Sequence, residues 1–388
     1  MAQQLSLCFS NSVEVIAKPK GSTGFFGLTE LETFTKLQVE PYANTDSPTP
    51  TLILDFSAVM VWDISALLWL VVALEHYRRN EGLSFLLKLP DDDRSDNSAR
   101  SADYLRRWRF DKGLQIIDFE VCNLLIPTQK DYFNPPEPRR YFLEEKAKSE
   151  SGLLDSLISR RLAEIRSLSD NSLMESVPIS SEGITDCIKM FQAERIGDIL
   201  KTQCGIEKRK ADLFADQLIT EALLNIQDHP NATIGLIAIS LMGNTNELIL
   251  SVVDNGDSIP QTIYKRYLHD TTIQTIGSVW EKSDESFEHA PYDRNKMSLE
   301  EKIAITHHAT QKGVTRKKGS KSNQAGMGLT YIKEDSIGEF NGKLTIITDH
   351  LKMTYKGNVD LSPETSEWFQ GWRGNLLRIA IPLRTSSL

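Results

Sequence analysis

Three short motifs in the C-terminal half of the chain carry side chains that can do chemistry. The first is Glu221-x-x-x-Asn225-x-x-x-His229. On a helix, a spacing of four places all three side chains on one face. The carboxylate can take a proton from an attacking water, and the Asn oxygen is a hard ligand suited to Mg²⁺. The competing reading is an exposed polar helix face. The second motif is Asp254-Asn255-Gly256-Asp257-Ser258-Ile259-Pro260, directly after an apolar run. Glycine lets a ligand approach the backbone, and an ionised Asp, which only accepts hydrogen bonds, can take the exocyclic amine of adenine. An ordinary strand-to-loop turn would read the same way. The third is Gly326-Met327-Gly328-Leu329, where a helical pattern begins. Backbone N–H groups at the positive end of a helix can face a phosphate. The basic run before it (Arg316, Lys317, Lys318, Lys321) suits a lid over a nucleotide, or simply a solvated charge run.

These motifs need elements to bring them together. Lys208 to His229 reads as one long helix ended by Pro230. Thr233–Met242 and Glu247–Val253 read as two strands joined by a Gly-Asn-Thr-Asn turn. Met327–Phe340 reads as a helix, and Lys343–Thr348 and Leu376–Ile381 as strands. Together, residues 206–388 predict an α/β (α+β) unit with helices layered on one face of a mixed sheet. Residues 1–118 predict a second α/β unit. There, Thr51–Phe56 is a buried strand, Ser65–Arg79 a helix stopped by Gly82, and Leu83–Leu89 a second strand. Strand, helix, strand at this spacing is a right-handed crossover between parallel strands. Ala102–Trp108 offers a further helix. Residues 119–205, with Pro127, Pro135, Pro136 and Pro138 and helical spacing over Ser151–Leu168 and Ile188–Leu200, read as a mostly helical connector.

In order and separation, the three motifs resemble the N-box and the two glycine boxes of the GHKL ATPases. That superfamily includes the ATPase modules of type II topoisomerases, heat-shock chaperones, mismatch-repair proteins and histidine kinases. The resemblance covers residues 206–388 and implies the mixed-sheet sandwich of that family with ATP and Mg²⁺ as cofactors. It implies that Glu221 activates water or a hydroxyl acceptor, Asn225 binds Mg²⁺, Asp254 reads adenine, and Gly256, Gly326 and Gly328 shape the pocket. Asp228, His229, Ile259, Thr315, Arg316, Met327 and Leu329, within or beside the same boxes and the lid, would complete the nucleotide contacts. The stretch His308–Leu329 looks like the lid of stand-alone bacterial members. Ser258 stands where the family has a second glycine, and Asn375 where a final-strand Gly-Thr is common. Family members often dimerise, so a homodimer is expected.

The first unit is similar to the anti-sigma-factor antagonist (STAS) fold. That family opens its helix with Asp-Ser-Ser-Gly-Leu; here the match is Asp63-Ile64-Ser65-Ala66-Leu67. Ser65 falls on the family's phospho-acceptor position, and the competing reading makes it a plain helix cap.

Composition narrows the classes. The 388 residues are 40% hydrophobic and 25% charged, as in ordinary globular domains. With Lys+Arg 44 against Asp+Glu 53, the net charge of −9 argues against bulk nucleic-acid binding, though not against a local basic patch. The apolar run Ile64–Leu74 falls short of the roughly 20 residues that cross a bilayer. The four cysteines form no CxxC pair, which suits a reducing, cytoplasmic setting and gives no zinc site. There is no GxxxxGK[ST] loop, and Tyr331 replaces the third glycine of a dinucleotide fingerprint. No His lies between His76 and His229, so the helical phospho-acceptor of a histidine kinase is missing. Three functions stay open: an ATPase acting as a conformational switch in a regulatory system, a serine/threonine kinase of the anti-sigma type acting on Ser65 or a partner protein, and a nucleotide-gated interaction module.

Overall fold

The structure is a computed structural model. It describes residues 14–18, 24–43, 51–90, 101–102, 104–106, 110, 114, 117, 119, 124–125, 175–176, 201, 206–228, 231–232, 234–242, 247–267, 297–311, 328–368 and 374–383. The chain divides into two compact units: Met1–Glu145 with Arg166–Met174, and Lys146–Ile165 with Glu175–Leu388.

The first unit is built on a parallel sheet. β1 (Glu14–Ala17), β3 (Thr51–Asp55), β5 (Ser84–Lys88) and β6 (Leu124–Leu125) pair in that order, and each pairing is parallel. β3 is buried along its whole length, which is why its middle, Leu52–Ile53–Leu54, is apolar on both faces. A two-residue ladder of β2 (Phe25–Phe26) and β4 (Val61–Trp62) and the helix α1 (Leu28–Gln38) add an aromatic cluster. In it Phe26 packs edge-on against Phe34, Phe56 and Trp62 at 5.2 to 6.2 Å. The crossover helix α2 spans Ile64–Asn80, with Leu67 to Val72 nearly all inaccessible. Gly82 ends it, with φ +66° and the Leu83 N–H returning to the Tyr77 carbonyl. The helix cap is Asp63, not Ser65: the Asp63 carboxylate accepts the Ser65 N–H at 2.7 Å.

The second unit holds a seven-stranded sheet. Its order is β12 (Glu364–Glu367), β11 (Leu351–Lys356), β10 (Lys343–Thr348), β13 (Asn375–Pro382), β9 (Glu247–Asp254), β8 (Gly235–Met242) and β7 (Glu175–Ser176). Every pairing in it is antiparallel, where the sequence had suggested a mixed sheet. β7 also places a strand inside the stretch expected to be helical. The last of the described strands, β13, does not lie at an edge. It is inserted between β9 and β10.

The long helix of this unit is interrupted. α3 (Lys208–Leu213) passes through a π turn at Phe214–Leu218 into α4 (Ile219–Asp228). The later helix repeats the pattern, with α7 (Gly328–Glu334) running into a π turn at Asp335–Glu339. The two pack together along their length. The Lys210 ammonium donates to the Glu339 carbonyl at one end, and Phe214 meets Phe340 edge-on at 6.1 Å. Near the other end Gly328 lies against Glu221 and Asn225. Gly342 then carries the chain into β10. A Cβ there would stand 2.6 Å from the Ala380 carbonyl and 2.8 Å from that of Ser336, so only glycine fits. α5 (Ile259–Tyr267) and α6 (Leu299–Ala309) are two further helices of this unit. Among the described residues no helix is long and apolar enough to cross a membrane.

Candidate functional site

The first and third motifs meet. A Cβ built on Gly328 would lie 3.0 Å from Glu221 Oε2 and 3.3 Å from Asn225 Oδ1. The spacing of four therefore does put Glu221 and Asn225 on one face, and the glycine at the head of α7 is what lets that helix approach them. Asn225 Nδ2 is buried there with no hydrogen-bond partner, as is Thr220 Oγ1. An orphaned buried amide costs free energy unless something polar arrives to meet it.

The second motif is organised by the register of the sheet. At one end of the sheet, Gly235, Asp254, Asn375, Thr348 and Leu351 pair in a row across five strands. Asn375 occupies the centre of a polar knot and uses all its hydrogen-bonding capacity. Its Nδ2 donates to Asp254 Oδ1 and to the Asp257 carbonyl, both at 3.0 Å. Its Oδ1 accepts the Thr348 hydroxyl at 2.7 Å and the Ile259 N–H at 3.1 Å. The Ile259 N–H also reaches Thr348 Oγ1 at 3.0 Å, which satisfies the first donor of α5. Asp254 Oδ1 further accepts the Gly256 N–H at 2.9 Å. Asp254 is 2% exposed and Asn375 1%, so both lie deep in the fold and Asp254 can read a ligand only at the bottom of a recess.

The two departures from the family pattern have structural reasons. Ser258 caps α5, its hydroxyl accepting the Gln261 N–H at 3.2 Å. Asn375 is the organiser just described. Neither it nor Thr348 stands out as a site residue in sequence, because the role of each depends on which residues lie across the sheet. The hairpin that follows Thr348 is tightly held. Asp349 and His350 have φ of 42° and 67°, the geometry a two-residue type I′ turn requires. Asp349 forms a buried ion pair with Lys302 of α6 at 3.7 Å.

Several sequence candidates lie elsewhere. Ile259 is buried in the knot and Leu329 is half-buried in α7. His229, Thr315, Arg316, Gly326 and Met327, with most of the suggested lid, are outside the described residues, as is the side chain of Asp228. Ser65 is fully buried in the first unit, so a kinase could reach its hydroxyl only if the start of α2 opened. The pair His307-His308 splits as neighbours on a helix should: His307 Nδ1 meets Tyr355 OH at 3.2 Å, and His308 Nδ1 meets Gln311 Oε1 at 3.0 Å. Burial and the nearby Lys333 and His308 lower the His307 pKa. Among the described residues no three His, Cys, Asp or Glu side chains are grouped to hold a metal.

One acidic group, Asp335, was not anticipated. Burial pushes its carboxyl up to about 6, and the carboxylates of Glu339, Glu334 and Glu221 act in the same direction. In the first unit, Asp55 behaves oppositely. Burial alone would raise it, but hydrogen bonds from Ser57, Lys88 and Lys18 hold it below the usual carboxylate range.

Compared with known proteins, the chain matches no family model and no curated protein.

Proposed function

We propose that the second unit binds ATP with Mg²⁺ and hydrolyses it, as a GHKL-type nucleotide switch in a regulatory system. One observation carries this reading: Gly328 lies against both Glu221 and Asn225, so two motifs far apart in sequence share one place. The residues present suit the cation. Asn225 offers an amide with an unpartnered buried atom, and a half-turn about its Cβ–Cγ bond presents the oxygen in that position. Mg²⁺ commonly takes one or two protein ligands and completes its shell from phosphates and water. When bound, it would neutralise charge on the phosphates.

The residues then divide the work. Glu221 accepts a proton from the water whose oxygen attacks the γ-phosphorus. The bond to ADP breaks, inorganic phosphate leaves, and the carboxyl returns its proton to solvent. Asp254, held by Asn375 and the Gly256 N–H, accepts from adenine. Residues at the N-terminus of α7 face the phosphates.

A serine/threonine kinase acting on a partner's STAS domain uses the same pocket with a hydroxyl in place of water. A gated interaction module uses it without turnover. ATP labelled at the γ-phosphate distinguishes them. Free labelled phosphate supports the ATPase, label on protein the kinase, and binding with neither supports the module. Absence of Mg-ATP binding to the full chain overturns all three. Sedimentation with and without Mg-ATP tests the expected homodimer.

Gly328→Ala offers a sharper check. Alanine suits a helix better than glycine does, which offsets the push of its methyl on the two side chains it meets, so the thermal midpoint should change little. Its methyl presses on Glu221 and Asn225, and Mg-ATP affinity should fall at least tenfold. Unchanged affinity would place the nucleotide somewhere else.

A further inference from the structure

The seam between the α3–α4 helix and the α7 helix holds a second carboxyl group besides Glu221. Asp335 is seven residues beyond Gly328, two turns along the same helix and so on the same face. Its Oδ2 is buried and has no hydrogen-bond partner. It sits at the start of a π turn, an irregularity that often marks functional positions in helices.

The charges acting on it are all acidic: Glu334 and Glu339 on its own element and Glu221 across the seam on α4. α3 brings three cations, Lys208, Arg209 and Lys210, and the last two are engaged with Glu339 of the same turn. Lys210 donates to the Glu339 carbonyl, and Arg209 stands 3.9 Å from the Glu339 carboxylate. β10 and β13, which also pack on this turn, bring Lys343 at its exposed end and Arg378. A buried carboxylate oxygen among like charges, with no donor, is costly to keep ionised.

We propose that Asp335 is a positioning residue of the nucleotide site, which takes up one proton when Mg-ATP binds beside Glu221. This rests on the nucleotide reading above. A triphosphate adds negative charge to a seam that already carries Glu221. The complex is therefore favoured when Asp335 is neutral, and by linkage bound nucleotide holds the proton on it. The sign follows. In the free protein Asp335 is neutral below about pH 6 and charged above it. Mg-ATP affinity accordingly falls as pH rises from 6 to 8, by up to about tenfold per unit.

The test is calorimetric titration of the full chain with Mg-ATP at pH 7, in two buffers of different ionisation enthalpy. Wild type should take up a substantial fraction of one proton per nucleotide bound. Asp335→Asn, which mimics the neutral acid, should take up little or none. It should also bind more tightly than wild type at pH 8, with a flattened pH profile. Binding by wild type without proton uptake overturns the inference whether or not the variant folds. Uptake unchanged in a folded Asp335→Asn also overturns it. Failure of wild type to bind Mg-ATP under any condition instead removes the nucleotide reading on which it rests.

Discussion

Glu221→Gln should lose phosphate release by 10²- to 10⁴-fold, the usual share of a general base, while still binding Mg-ATP. The substitution keeps the shape of the side chain against Gly328, where the space is tight, and removes only the charge that takes the proton. Glu221→Ala should lose turnover to a similar degree. It also opens space in the seam, so a loss seen only in the alanine variant would point to packing. The decisive comparison is single-turnover phosphate release beside equilibrium binding. Turnover undiminished in both variants would exclude Glu221 from the chemistry.

Asp254→Ala should cost the ATP complex about 1.5 to 3 kcal/mol, the range for a hydrogen bond to a charged group, or roughly 10- to 150-fold in affinity. The same argument gives base specificity. A carboxylate only accepts, so it suits the amine of adenine and opposes the carbonyl that guanine presents at the equivalent position. GTP should therefore compete poorly. Asn375→Ala separates recognition from structure. It strips a partner from Asp254, from Thr348 and from the Asp257 carbonyl at once. Stability should fall by about 1 to 3 kcal/mol, seen as a lower thermal midpoint, together with weaker ATP binding. ATP affinity unchanged in both variants, with the fold intact, would remove this end of the sheet from the site.

The parts of the fold that were legible in sequence share a cause. β3, β9 and α2 are buried over most of their length, so their sequences are rich in apolar residues with clear limits. The face shared by Glu221 and Asn225 follows from helix period alone. What escaped depends on tertiary partners. The β10–β11 hairpin turns through Asp349-His350, not the Asn-Gly that would announce a type I′ turn. Its conformation is supported by an ion pair to Lys302 on a distant helix. β12 is exposed at all four residues, so no apolar alternation marks it as a strand. The capping box Ser298–Glu301 opens α6 with a readable start signal, Ser-x-x-Glu before an apolar stretch, yet no helix was expected there. The π turns carry no such signal. Asn375 and Asp335 draw their roles from side chains brought close by register and helix packing.

The position of β13 bears on how the fold is completed. Asp254 and Thr348 are both made before the strand that joins them, and their half-sheets become neighbours only through it. A chain still emerging from the ribosome thus carries the earlier motifs but lacks the rung that aligns them. A premature stop before residue 375 would leave β9 and β10 each with a naked, apolar edge. Such edges invite pairing with other chains, so the shortened product should aggregate instead of surviving as a partly folded monomer.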